Sequence, residues 1–112
     1  MRYSVVLVPF PFDDLTASKV RPAVCLTDAI GAHRHVVLAF ITSAVPPRLE
    51  PTDFLLDPVT ADFARTGLRV RSALRLHRMV TVSTTLIQRQ LGVLTPNLQA
   101  QVHQRLRALF GL

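Results

Sequence analysis

Apolar and polar positions along the chain fall into short blocks, most of them with the periods of β-structure. Ser4–Phe10 carries the run Val5, Val6, Leu7, Val8 and is closed by Pro9 and Pro11, which cannot donate to a central sheet ladder, so it predicts a first strand. Residues 13–20 are polar, short-chained and aperiodic, and predict an exposed loop of the length that usually carries function. A second strand is expected over residues 22–27, and residues 28–34, with Gly31 inside, read as a turn. His35–Thr42 predicts a fully buried, central strand, because residues 36–41 are all apolar. Pro46, Pro47 and Pro51 make residues 43–51 an irregular loop, leading to a short strand over Asp53–Leu56 and a loop or short helix over 58–67.

Residues 68–76 alternate, with Val70, Ser72, Leu74 and Leu76 on one face and Arg69, Arg71, Ala73 and Arg75 on the other. That pattern predicts a half-buried strand presenting three arginines together. Residues 79–82 suggest a further strand, and residues 83–90 a brief helix stopped by Gly92. The clearest helix is the last, where Thr95 can cap, Pro96 fits the first turn, and Leu98, Val102, Leu106, Leu109 and Phe110 recur at helical spacing before Gly111. Together these elements predict a mainly β, α+β fold: a small, strongly bent sheet or barrel covered on one side by a C-terminal amphipathic helix.

Length and composition narrow the class. The 112 residues suit one domain with one core, and 49% hydrophobic residues with 18% charged exclude wholesale disorder. The longest apolar run, residues 36–41, is far below the roughly 18–20 residues that span a bilayer, so no membrane span is expected. The opening residues do not read as a signal peptide, since prolines interrupt them and Asp13 and Asp14 follow, and a cytoplasmic protein is expected. Cys25 is the one cysteine and lies in an apolar run, which predicts an inert buried thiol.

Charge is unevenly placed. All seven acids lie in residues 1–62, while residues 63–112 hold eight arginines and no acid, within a net charge of +6. Arginine pairs two-pronged with phosphate oxygens, so a polyanion is one natural partner and an acidic protein another. The four glycines stand far apart and form no phosphate-cradling loop, and the spacing of His33, His35, His77 and His103 implies no metal site. No cofactor or metal is expected.

One ordered set of segments is recognisable: VVLVPFPF at residues 5–12, Asp14 and Leu15, SKVRPAV at 18–24, FITS at 40–43, then residues 70–78, LIQRQLGVL at 86–94 and the terminal RLRALFGL. In that order and spacing the chain resembles the MazF/PemK toxin family over nearly its whole length. The resemblance implies an SH3-like β-barrel, a homodimer, and a bacterial toxin that cuts single-stranded RNA without a metal and is neutralised by a cognate antitoxin with an acidic tail. It also implies that the arginine of the K-x-R-P motif and the threonine of the I-T motif, here Arg21 and Thr42, form the catalytic pair. The implied reaction is attack of a ribose 2′-hydroxyl on the adjacent phosphate. Arg21 suits the charge growing on the phosphorane but is a poor base, so a water, a substrate group or a histidine is left for proton transfer. A loop-end arginine can equally pair with Asp13 or Asp14.

Around that pair, Ser18, Lys19 and Ser43 are candidate RNA contacts, and Arg69, Arg71 and Arg75 are candidate ligands for RNA phosphates or the antitoxin tail. The chain departs from the family pattern at Tyr3 and Ser4, where Gly-Asp is usual. Two further readings stay open: a nonenzymatic toxin of the same fold that poisons DNA gyrase, as the related CcdB toxins do, and a catalytically inactive RNA-binding module.

Overall fold

The computed structural model describes residues 1–10 and 19–112. Six strands form one sheet: β1 (Ser4–Phe10), β2 (Lys19–Cys25), β3 (His35–Thr42), β4 (Asp53–Leu56), β5 (Ser72–Ser83) and β6 (Arg89–Val93). Their order is β4-β5-β3-β2-β1-β6, every pairing is antiparallel, and the sheet curls into a half-barrel. One helix, α1 (Pro96–Phe110), follows the last strand. The mainly β, α+β architecture is the expected one.

Both faces of the sheet are apolar, because the central strands carry nonpolar side chains in both directions. On one face Val5, Val24, Ile41, Phe54, Leu74 and Leu76 pack with Leu98 and Val102 of α1. On the other, Val6, Val8, Ala23, Cys25, Leu38 and Phe40 form a second cluster. The continuous apolar run of β3 is thus explained by burial on both sides. Pro9 lies beyond the residues of β1 that pair with β6, so its missing N–H interrupts no ladder on that side.

Helix α1 has its expected ends. Thr95 Oγ1 accepts from the Leu98 N–H at 3.3 Å, and Gly111 closes the helix at a φ of 69°. Phe110, expected on the buried face, is 60% exposed. Arg105 ties the helix to the start of β4, donating from Nη1 to the carbonyls of Pro51 and Asp53 at 3.0 and 3.1 Å. No helix among the described residues is long and apolar enough to cross a membrane.

Three expectations are corrected. Of the loop expected over 13–20, residues 13–18 lie outside the described residues, and Lys19 and Val20 already belong to β2, paired with Phe10 and Pro9. The strand expected over 68–76 begins only at Ser72 and runs on to Ser83, absorbing the separate strand expected over 79–82. Arg69 and Arg71 therefore precede β5, and the three arginines do not share one strand face. Alternation misleads here because β5 lies between β4 and β3, so Ser72, Ala73 and Leu74 are all buried. Finally, only Thr84–Leu86 of the expected helix over 83–90 forms a single 3-10 turn, and Arg89 is the start of β6. Pairing with β1 overrides local preference: the Gln88 N–H donates to the Leu7 carbonyl at 2.8 Å, and Gly92 is a strand residue rather than a helix stop.

Candidate active site

The site is built where β2, β3 and β5 run side by side. β2 and β3 pair through Ala23↔Phe40, Val24↔Ala39 and Cys25↔Leu38, and continuing that register by two residues sets Arg21 opposite Thr42. Cross-strand partners project to the same side of a sheet, so an arginine and a threonine far apart in sequence share one face. Phe40, two residues before Thr42, pairs in turn with Arg75 of β5 and puts a second arginine on that face.

A third arginine arrives through an irregularity. Ala39 pairs with Met79 and the next residue, Phe40, pairs with Arg75, so residues 76–78 have no opposite number on β3. An offset of this kind bends a strand and re-aims its side chains. In a regular strand Arg75 and Arg78 would face opposite ways; here both line one cleft of about 90 Å³ together with Arg21, Phe40, Thr42 and Ala44. Sequence reasoning missed Arg78. The only signal was an arginine three residues after Arg75, and alternation reads that spacing as two opposite faces.

Thr42 Oγ1 accepts a hydrogen bond from the Ala44 N–H at 3.1 Å, which fixes the hydroxyl oxygen while leaving its own hydrogen to donate. Behind the cleft, Arg75 pairs with Asp53: Nε donates to Oδ1 at 2.9 Å and Nη2 reaches Oδ2 at 3.5 Å. Asp53 also accepts from the Glu50 N–H at 2.8 Å, and His77 Nδ1 stands 4.0 Å from its Oδ1. Burial pushes the Asp53 carboxyl up, but the Glu50 N–H, Arg75 and His77 outweigh it and hold the group below the ordinary carboxylate range.

A second depression, of about 330 Å³, adjoins the cleft and shares Arg21 and Ile41 with it. Its walls are Val20, Pro22, Leu68 and Val70, with Ser43 and Arg69 as polar members. The expected residues therefore divide. Arg21, Thr42, Arg75, Ser43 and Arg69 are gathered in two adjoining depressions, whereas Arg71 is exposed and lines neither. Lys19 stands at the start of β2, and Ser18 lies outside the described residues, as do Asp13 and Asp14.

All four histidines are exposed. His33 and His35 stack with centroids 5.9 Å apart, at the opposite end of β3 from Thr42 and about 23 Å away at the usual rise per strand residue. His103, on α1, meets the Tyr3 hydroxyl. His77 is the nearest to the cleft in connectivity, bonded through Nδ1 to Thr52 Oγ1 at 2.7 Å. Among the described residues no three His, Cys, Asp or Glu side chains stand close enough to hold a metal ion.

A profile described as PemK-like, MazF-like toxin of type II toxin-antitoxin systems matches residues 1–110. The chain belongs to this family. Among solved structures it is similar to the Mycobacterium tuberculosis toxin MazF-mt6, at 21% identity over 97% of each chain with a TM-score of 0.72. It is also similar to an endoribonuclease in complex with its cognate antitoxin from Mycobacterial species, at 17% identity over 100% of this chain and 95% of that one, TM-score 0.72. A further endoribonuclease from Mycobacterial species matches at 16% identity over 100% of this chain and 91% of that one, TM-score 0.68. No match was found among curated proteins.

Membership in the MazF-like family sharpens the departure at Tyr3 and Ser4. Tyr3 takes a φ of 69°, in the left-handed region where glycine is at ease, and its ring packs 5.4 Å from that of His103. Ser4 is buried and pairs with Val93 of β6. Both stand at the start of β1, whereas Arg21 pairs with Val8 further along, and neither lines the two depressions. These two positions thus bear on how the start of β1 is tied to α1 and β6, and stand apart from the described lining of the cleft.

Proposed function

We propose that this toxin is a metal-independent endoribonuclease that cleaves single-stranded RNA, with Arg21 and Thr42 at the scissile phosphate. The observation that carries the reading is the small cleft lined together by Arg21, Thr42, Arg75 and Arg78, a set of N–H and O–H donors suited to phosphate oxygens. In the reaction the ribose 2′-oxygen forms a bond to the adjacent phosphorus while the bond to the 5′-oxygen of the next nucleotide breaks. The 2′-hydroxyl proton is lost and one proton reaches the departing 5′-oxygen, leaving a 2′,3′-cyclic phosphate and a 5′-hydroxyl.

Arg21 offers a rigid fork of donors to the nonbridging oxygens, whose charge grows toward the phosphorane, and its bonds strengthen as the barrier is climbed. Thr42, its oxygen already held by the Ala44 N–H, donates its hydrogen to the same group. Single-stranded RNA then extends from the cleft into the adjoining depression, where Ser43 and Arg69 meet the flanking nucleotide and the aliphatic wall of Val20 and Val70 meets its base. Lys19, Ser18 and Arg71 add outer contacts to the strand. A homodimer, a cytoplasmic location and an antitoxin whose acidic tail competes for the arginines complete the reading.

The test is incubation of the purified protein with a long single-stranded RNA in EDTA, followed by mapping of the 5′ ends. Cleavage at defined sites with 5′-hydroxyl ends is expected, and RNA left intact overturns the proposal in favour of a binding toxin. Arg21→Lys keeps the charge but loses the fork, so single-turnover cleavage should fall by roughly 10² or more while RNA affinity changes only several-fold. Thr42→Val should lose less, because a neutral hydroxyl contributes less than a charged two-pronged contact.

A further inference from the structure

We infer that Arg75 is a second guanidinium on the phosphate in the cleft, and that Asp53 is the positioning residue that aims it. The inference rests on the ribonuclease reading above.

Asp53 is an unusual carboxylate. Its side chain is fully buried, although it stands on a four-residue edge strand, and buried acids persist only where they are paired. The pairing is set by the sheet itself: β4 and β5 place Asp53 directly opposite Arg75, and β5 and β3 place Arg75 directly opposite Phe40 on the cleft wall. Arg75 therefore has the carboxylate on one side and the cleft on the other, with its side chain 26% exposed.

The atoms in contact define what Asp53 does. A guanidinium carries five N–H donors in a fixed plane. Asp53 engages the Nε edge through Oδ1 and Nη2 through Oδ2, and the Glu50 N–H pins the carboxylate from behind. With that edge held, the plane cannot rotate, and the Nη1 end is the part of the fork left to serve the cleft that Arg75 lines. The buried carboxylate keeps Arg75 from swinging into solvent, so its donors are in place before substrate arrives. Stability alone does not account for the arrangement, since a buried ion pair is often no better for the fold than apolar residues of the same size.

Asp53→Asn is nearly isosteric but has a single acceptor oxygen, so it keeps either the Glu50 N–H or the Arg75 Nε contact and turns its amide NH2 against the other donor, and a thermal melt will check that it folds. Single-turnover cleavage should fall by about tenfold with RNA affinity little changed, and Arg75→Lys should cost roughly 10². Because Asp53 acts through Arg75, the double variant should be no slower than Arg75→Lys alone. A purely structural Asp53 would instead give additive losses that follow the melting temperature, and that result overturns the inference. So does a folded Arg75→Lys variant with wild-type cleavage, an outcome that does not depend on how Asp53→Asn folds. Inactivity of the wild-type protein would overturn the ribonuclease reading itself, whereas normal cleavage with a strong Arg21→Lys defect and additive Asp53 and Arg75 effects would overturn only the role given to Asp53.

Discussion

Cys25 shows how far burial alone moves the chemistry of a side chain. It is fully inaccessible between Val24 and Leu26, and desolvation, opposed by the N-terminal ammonium and reinforced by Asp28, pushes its thiol up to about 11. At pH 8 only about one molecule in a thousand then carries a thiolate. A maleimide or iodoacetamide should therefore label Cys25 at the rate of unfolding, and fast labelling of the native protein would contradict the burial. The same shift fixes a sign. A thiol whose folded pKa is raised favours the folded state fully below pH 9 and loses that contribution as pH rises toward about 11. Arginines differ as sharply among themselves: Arg105 of the acid-free half is turned onto backbone carbonyls and Arg75 shares its charge with Asp53, so the basic composition overstates the charge offered to a partner.

At the scale of elements, the sequence was most legible where one force dominated. Ser4–Phe10, His35–Thr42, Asp53–Leu56 and the capped terminal helix are where hydrophobic period and end signals placed them, because burial and capping act locally there. It was least legible where tertiary contact decides. β6 is an example: a Cβ on Gly92 would lie 2.2 Å from the Arg65 carbonyl oxygen, and one on Gly67, at a φ of 74°, would lie 2.0 Å from that of Leu91. These two glycines let the Phe63–Thr66 turn press against β6, a need that no local pattern expresses. Gly92→Ala should destabilise the fold by about 1–3 kcal/mol, the usual cost of overpacking, read as a lower urea midpoint at unchanged slope. An unchanged midpoint would mean that β6 can draw away freely. The candidate site divides in the same way: Arg21 and Thr42 were proposed from their motifs and line one cleft, whereas the places of Arg78 and Asp53 depend on register and emerge only once the strands are paired.

For the whole molecule, the proposed binding of RNA turns on which cations set its electrostatics. Arg69 and Arg71 precede β5 and are exposed, unlike Arg75. Replacing Arg69 and Arg71 by Ala should weaken RNA binding and reduce the slope of log K against log salt by about 0.7 for each phosphate of the single strand no longer neutralised, since fewer counterions are released. An unchanged slope in a filter-binding titration would remove both from the interface. Arg75→Ala should behave differently, because it also strands the buried Asp53 carboxylate and so lowers the melting temperature.

The unmatched residues 76–78 of β5 divide that strand into two reading frames against β3. On either side of the break the ladder is regular, and of the three residues within it Leu76 is fully buried in the core while His77 and Arg78 are exposed. Deleting one residue there would exchange inward for outward positions in the segment that meets Asp53, yet leave the segment paired with the start of β3 in place. Adding a pair after Leu76 would keep both frames and change only what projects between them. Variation in the length of this short stretch beyond Leu76 is therefore a way for related chains to present different side chains to the cleft without redesigning a core, and an alignment that assumes an unbroken strand will misplace the residues that line it.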